Sequence, residues 1–105
     1  MITKKENTGK RQFKGVSFEV VAVGQKTMVT KMNLKIENKV PVHAHPNEQI
    51  GYVLSGKYRI IYQDINEIIY PGDSYAIPEN IEHSLEVIEA GEIIDVFTPP
   101  RIDYL

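Results

Sequence analysis

Apolar and polar residues alternate along most of this 105-residue chain. Val16, Phe18 and Val20 fall on one side of an extended segment, with Ser17 and Glu19 on the other. Met28, Thr30, Met32, Leu34 and Ile36 repeat the period, opposed by Val29, Lys31, Asn33, Lys35 and Glu37. A period of two belongs to a half-buried strand, because successive side chains point to opposite faces. Shorter stretches read the same way: Gln49–Leu54, Lys57–Gln63, Glu67–Tyr70, Ser74–Ile77, His83–Ile88 and Glu92–Phe97. Tyr58, Ile60 and Tyr62 share a face as core or pocket wall, and Tyr52 faces opposite to Gln49, Gly51 and Val53. Met28 and Met32 are core candidates.

Turn residues punctuate these runs. Ser55–Gly56 predicts a tight hairpin between Gln49–Leu54 and Lys57–Gln63, and Asp64–Asn66 predicts another before Glu67–Tyr70. Pro71–Gly72–Asp73 marks a turn, Pro78–Glu79–Asn80 a break, and Pro99–Pro100 ends the regular pattern. No window reads as a long helix. The expected fold class is all-β: eight or more short antiparallel strands in a sandwich or small antiparallel barrel. Residues 1–12 are polar and are read as an N-terminal arm or edge strand. Residues 13–105 are read as one barrel with a C-terminal tail. Open strand edges make closure or pairing with a second copy the expectation.

Charge and composition narrow the classes. Lys and Arg number 12 against 14 Asp and Glu, a net charge of -2. That gives no basic surface for nucleic acid and no attraction to anionic membranes. The apolar runs fall far short of the roughly 20 residues that span a bilayer. There is no cysteine, which excludes disulfides, thiolate nucleophiles and iron–sulfur clusters. Met1-Ile2-Thr3-Lys4-Lys5-Glu6 has no apolar run behind its lysines, so a cytoplasmic protein is expected.

The chain has three histidines: His43, His45 and His83. His43 and His45 are one residue apart, a spacing that turns both rings to one face of a strand. Neutral imidazoles so placed make a half-site for a divalent metal. Gln49 follows the bend at Pro46–Asn47 and offers an amide oxygen. His83 follows the Pro78–Asn80 turn and is placed to come from a facing strand. Three nitrogens and an oxygen leave open positions on a six-coordinate ion. On spacing alone, a surface or turn role for His83 and a structural role for the pair remain alternatives.

The run from Pro41 to Gly56, PVHAHPNEQIGYVLSG, resembles the first motif of the cupin superfamily. Gly72, five residues, Pro78 and then Asn80-Ile81-Glu82-His83 resemble the second. The resemblance implies a jelly-roll double-stranded β-helix. It also implies one divalent metal ion (Ni, Zn, Mn or Fe) held by His43, His45, Gln49 and His83. Gln49 replaces the usual acidic ligand, while Glu48 points the other way on an extended backbone. A glutamine adds no charge, so the ion keeps its full charge and is the stronger Lewis acid, with lower affinity for the site. Asn80 stands where the motif commonly has glycine, and Asn tolerates the left-handed conformation required there.

Asp95 to Leu105, DVFTPPRIDYL, together with His-x-His, Glu48–Gln49 and His83, is similar to the KdgF-like small cupins of pectin and alginate breakdown. That group converts 4,5-unsaturated monouronates toward linear keto sugar acids. Its active Asp and Arg match Asp95 and Arg101. Asp95 and Phe97 share a strand face. Arg101, beyond Pro99–Pro100, can fold over the barrel mouth, where its guanidinium suits capture of a sugar carboxylate. Near a cation the Asp95 pKa would fall, making it a base or polarising group. Arg101, Tyr58 and Phe97 are the expected substrate contacts. A strand-edge or lysine-paired Asp95, and a surface or dimer-contact Arg101, are the structural alternatives. The competing functions are another metal-dependent cupin enzyme, a dioxygenase or isomerase, and a non-catalytic small-molecule-binding cupin. A homodimer is expected, with residues 1–12 available as an exchanged strand.

Overall fold

The computed structural model describes residues 1–105, and its regular structure is strand apart from two short 3-10 turns at Lys5–Asn7 and Ile102–Tyr104. The strands are β1 (Gly9–Phe13), β2 (Val16–Val23), β3 (Met28–Leu34), β4 (Lys39–His43), β5 (Glu48–Val53), β6 (Lys57–Tyr62), β7 (Ile65–Ile69), β8 (Ser74–Ile77), β9 (His83–Glu89) and β10 (Gly91–Thr98). They form a six-stranded sheet in the order β1-β2-β3-β10-β5-β8 and a four-stranded sheet in the order β4-β9-β6-β7. Every pairing is antiparallel. The expected all-β class is met as two sheets, and neither hydrogen-bonds back to its own first strand. No helix is long and apolar enough to cross a membrane.

The alternation read from the sequence is the alternation of burial. Val16, Phe18 and Val20 on β2, Met28, Thr30 and Leu34 on β3, and Tyr58, Ile60 and Tyr62 on β6 are all buried. One core joins the two sheets: Val16, Leu34, Val53, Tyr75 and Ile93 from the larger pack with Val40, Tyr58, Ile60, Tyr62 and Leu85 from the smaller. Removing these inward faces from water is the main favourable contribution to folding.

Several local expectations are corrected. Ser55–Gly56 is not a hairpin, because β5 lies in the larger sheet and β6 in the smaller. The dipeptide carries the chain across, and distant residues dictate the crossing. Leu54 and Ser55 N–H donate to Glu92 O at 3.0 and 3.2 Å, and Glu92 N–H donates to Ser55 Oγ at 3.0 Å. A Cβ at Gly91 would overlap the Ser55 backbone, so only glycine permits the approach. The β6–β7 hairpin does form, but tighter than expected, with Tyr62 opposite Ile65. Ile36 is 60% exposed rather than buried. The strand stops at Leu34 because Asn38 Oδ1 accepts from Lys35 N–H at 2.8 Å and Asn38 N–H donates back to Lys35 O at 2.9 Å. Gly9–Phe13 pairs along β2 as an edge strand, with Phe13 opposite Val16.

Candidate metal centre

His43 is the last residue of β4 and lies opposite His83, the first residue of β9. His45 is past the end of β4, so the two neighbouring histidines do not share one strand as the spacing predicts. The chain bends there, and Asn80 N–H donates to His45 O at 2.8 Å, tying the two connecting loops together. Asn80 has φ +62°, the left-handed conformation expected of it. The rings still converge: their centroids are 4.3 Å apart for His43 and His83, 4.9 Å for His45 and His83, and 5.6 Å for His43 and His45. One nitrogen of each lies within 4.8 Å of the others.

Each ring is oriented by its own backbone. His43 Nδ1 donates to Pro41 O at 2.8 Å, His45 Nδ1 to Asn47 O at 2.9 Å, and His83 Nδ1 to Ile81 O at 2.9 Å. A carbonyl can only accept, so in each neutral ring Nδ1 carries the proton and Nε2 presents a lone pair. Burial holds all three below the ordinary imidazole range, with His83 down to about 4. The rings are therefore neutral donors at neutral pH.

Gln49, Gly51 and Val53 face inward on β5, and Ile93, Asp95 and Phe97 face inward on β10. Gln49 Nε2 donates to Asp95 Oδ1 at 3.0 Å, which turns its Oε1 to His45 Nε2, also at 3.0 Å. Two acceptors thus face one another. Asp95 is 1% exposed and pairs with no lysine. Its second donor is the Tyr75 hydroxyl, at 2.7 Å from Oδ1. Asp95 Oδ2 and His83 Nε2 are buried without any partner. Burial pushes the Asp95 carboxyl up to about 6, against the opposing pull of Tyr75, Gln49 and Arg101. Burial and the Asp95 charge push the Tyr75 hydroxyl well above its ordinary value, so it keeps the proton it donates.

Nothing in the local sequence pattern marks Tyr75 as a site residue. Asp95, Gly51 and Tyr75 form one lateral row across β10, β5 and β8. Two strand spacings, about 9.6 Å, separate the outer pair. The Tyr75 ring spans the gap by lying over Gly51, and a Cβ on that residue would sit inside the ring. No one-strand pattern reveals this. It requires the register of three strands.

Arg101 is 5% exposed and not a surface residue. Its guanidinium carbon lies 4.0, 5.3 and 5.7 Å from the ring centroids of Tyr104, Phe97 and Phe13. Nε and Nη2 donate to the two Asp103 oxygens at 3.3 and 2.7 Å, and Nη1 donates to the Tyr104 hydroxyl at 2.8 Å. Arg11 Nε donates to Tyr104 O at 2.9 Å, and Asn47 Nδ2 to Pro99 O at 2.6 Å, strapping this segment down. The cavity beneath, of roughly 30 Å³, is lined by His43, His83, Gln49, Asp95, Phe97 and Arg101, with Tyr75 and Tyr104. Tyr58 is not in that lining. Its buried hydroxyl donates to Ser55 O at 2.8 Å beside the chain crossing, which removes it from the expected substrate contacts.

The donor set fits one divalent cation. Three Nε2 lone pairs converge, one of them otherwise orphaned, and the facing acceptors of His45 and Gln49 are reconciled by a positive charge between them. The His43, His45 and His83 cluster forms this single metal site.

Comparison with known proteins agrees with the architecture. A family profile described as Cupin domain matches residues 30–97. The pectin degradation protein KdgF of Dickeya dadantii (strain 3937) is 34% identical over 65 residues, and the aligned part spans 60% of this chain and 59% of that protein. The structure of KdgF from Halomonas sp. superimposes with a TM-score of 0.90 at 23% identity, covering 100% of both chains. An RmlC-like cupin from Shewanella frigidimarina NCIMB 400 gives a TM-score of 0.90 at 24% identity, over 99% of this chain and 95% of that one. At those identities the structural likeness bears on fold.

Proposed function

The chain belongs to the cupin domain family, and on that premise we propose that it is a metal-dependent enzyme acting on a small carboxylated sugar. The reaction is conversion of a 4,5-unsaturated monouronate to a linear keto sugar acid. The similarity to a pectin degradation protein supports the substrate class. The observation that carries the reading is Asp95 Oδ2: a buried carboxylate oxygen with no partner, in the cavity that also holds His43, His83 and Arg101.

His43, His45, Gln49 and His83 would hold the ion. Bound there, a divalent metal supplies Lewis-acid polarisation of a substrate oxygen. Arg101 takes the substrate carboxylate. Asp103 fills its Nε and Nη2 edge and the Tyr104 hydroxyl takes one Nη1 hydrogen, which leaves one N–H on each of Nη1 and Nη2 for a ligand. Phe97 and Tyr104 wall the site and exclude water. Asp95, fixed through Oδ1, moves a proton at Oδ2 to the unsaturated ring. Water adds across the double bond and returns a proton to Asp95, the hemiacetal opens to a gem-diol, and the diol sheds one water to leave the ketone, so no water is consumed overall and no electrons enter or leave.

The test is Asp95→Asn with matched metal content, assayed by loss of the conjugated alkene absorbance of an unsaturated monouronate. Turnover should fall by roughly 10²- to 10⁴-fold. Unchanged turnover would remove Asp95 from the chemistry.

A further inference from the structure

The row Tyr75–Gly51–Asp95 does more than fill the core. Asp95 Oδ1 accepts two hydrogen bonds, from the Tyr75 hydroxyl at 2.7 Å and from Gln49 Nε2 at 3.0 Å. The Gln49 amide has two opposite ends, and Asp95 decides which end faces the histidines. With Nε2 committed to Asp95, Oε1 faces His45 Nε2 at 3.0 Å. Turned over, the amide would present N–H groups to a cation and could not ligate it. The tyrosine reaches this carboxylate only because Gly51 leaves its path clear.

We propose that Tyr75 is a positioning residue for the metal centre: its hydroxyl pins Asp95, and Asp95 in turn holds the Gln49 amide with its oxygen toward the three histidines. The proposal rests on the reading that Gln49 completes the metal site. Tyr75 touches neither ion nor substrate. It acts at two removes, so its loss should alter the quality of the site and leave the histidine cluster in place. Outer hydrogen bonds of this kind commonly change metal affinity by roughly 10- to 100-fold.

The probe is Co²⁺, titrated into the metal-depleted full chain and followed by its visible absorption. Tyr75→Phe keeps the buried ring and removes one oxygen. We expect Co²⁺ affinity to drop roughly tenfold and the absorption bands to shift. We expect Tyr75→Phe to add nothing further when Gln49 is already Ala. A Tyr75→Phe protein that binds Co²⁺ with the parent's affinity and spectrum overturns this proposal alone. So does an equal loss in the Gln49→Ala background, which would mean a general loosening of the site. A parent that takes up no Co²⁺ overturns the metal reading and this proposal with it. Should Tyr75→Phe not fold, Asp95→Ala removes the oxygen that holds the Gln49 amide, and its coupling to Gln49→Ala is read in the same way.

Discussion

Gly51→Ala is a one-carbon change whose effect depends on a residue two strand positions away from Asp95. The new Cβ would occupy the space of the Tyr75 ring, so the ring must leave its place above β5. Overpacking a tight core costs about 1–3 kcal/mol. The displaced hydroxyl also gives up its bond to the Asp95 carboxylate, about 1.5–3 kcal/mol for a hydrogen bond to a charged group. Replacing glycine by alanine in a strand returns about 0.5–1 kcal/mol. The net loss is about 1.5–5.5 kcal/mol, a large share of the roughly 5–15 kcal/mol that stabilises a domain. Urea unfolding, followed by circular dichroism, reads this as a fall in midpoint at constant slope. The decisive measurement repeats the substitution in a Tyr75→Leu background. Leucine cannot reach over Gly51, so there Gly51→Ala should be neutral or stabilising by up to ~1 kcal/mol. An equal loss in both backgrounds would refute the argument, because the cost would then belong to the β5 backbone and not to the tyrosine.

Three further outcomes are expected. Freshly purified parent should carry near-stoichiometric metal and His83→Ala should not, as read by elemental analysis; retention by the variant would move the site elsewhere. Glu19 accepts from Lys10 Nζ and Thr8 Oγ1, both at 2.7 Å, and these bonds, Lys10 first, lower its carboxyl from 4.5 to about 2. A lowered pKa means its stabilisation is complete above pH 4.5 and is lost as pH falls toward 2, so Glu19→Gln should flatten acid unfolding across that window, less so at high salt. Tyr58→Phe removes the bond to Ser55 O and should cost about 1 kcal/mol in urea without altering metal content; altered metal content would return Tyr58 to the site.

Where a residue's environment is set by its own strand, the chain can be read directly. Val16, Phe18 and Val20 alternate with polar neighbours, and so they are buried. The left-handed Asn80 and the shared face of Asp95 and Phe97 are equally local. Ser55–Gly56 misleads because its two flanking strands would pair if they were alone, and Glu92, far along the chain, captures Ser55 instead. Val40, Val42 and Pro41 on β4 show no clean alternation, since β4 is an edge strand that breaks register between Val40 and His43. At the site, histidine spacing suggests ligands without strand context, yet the ring orientation comes from carbonyls two residues away. Tyr75, and the Asp103 and Tyr104 that hold Arg101, have no comparable signal. The first depends on a three-strand register and the second on a turn packing back onto Phe13 and Phe97.

The order of strands in the sheets has a consequence for biosynthesis. β10 fills the gap between β3 and β5, and β9 fills the gap between β4 and β6. Both centrepieces are thus made after the strands they join. A nascent chain that has exposed everything through β8 holds β1-β2-β3, β5-β8 and β6-β7 as separate fragments, each with an inner edge unpaired and open to association with other chains. His83 begins β9 and Asp95 lies on β10, so the pieces that seal the two sheets also bring the last site residues from the strands. The three histidines therefore meet only once β9 has been made, and the carboxylate that holds Gln49 arrives only with β10.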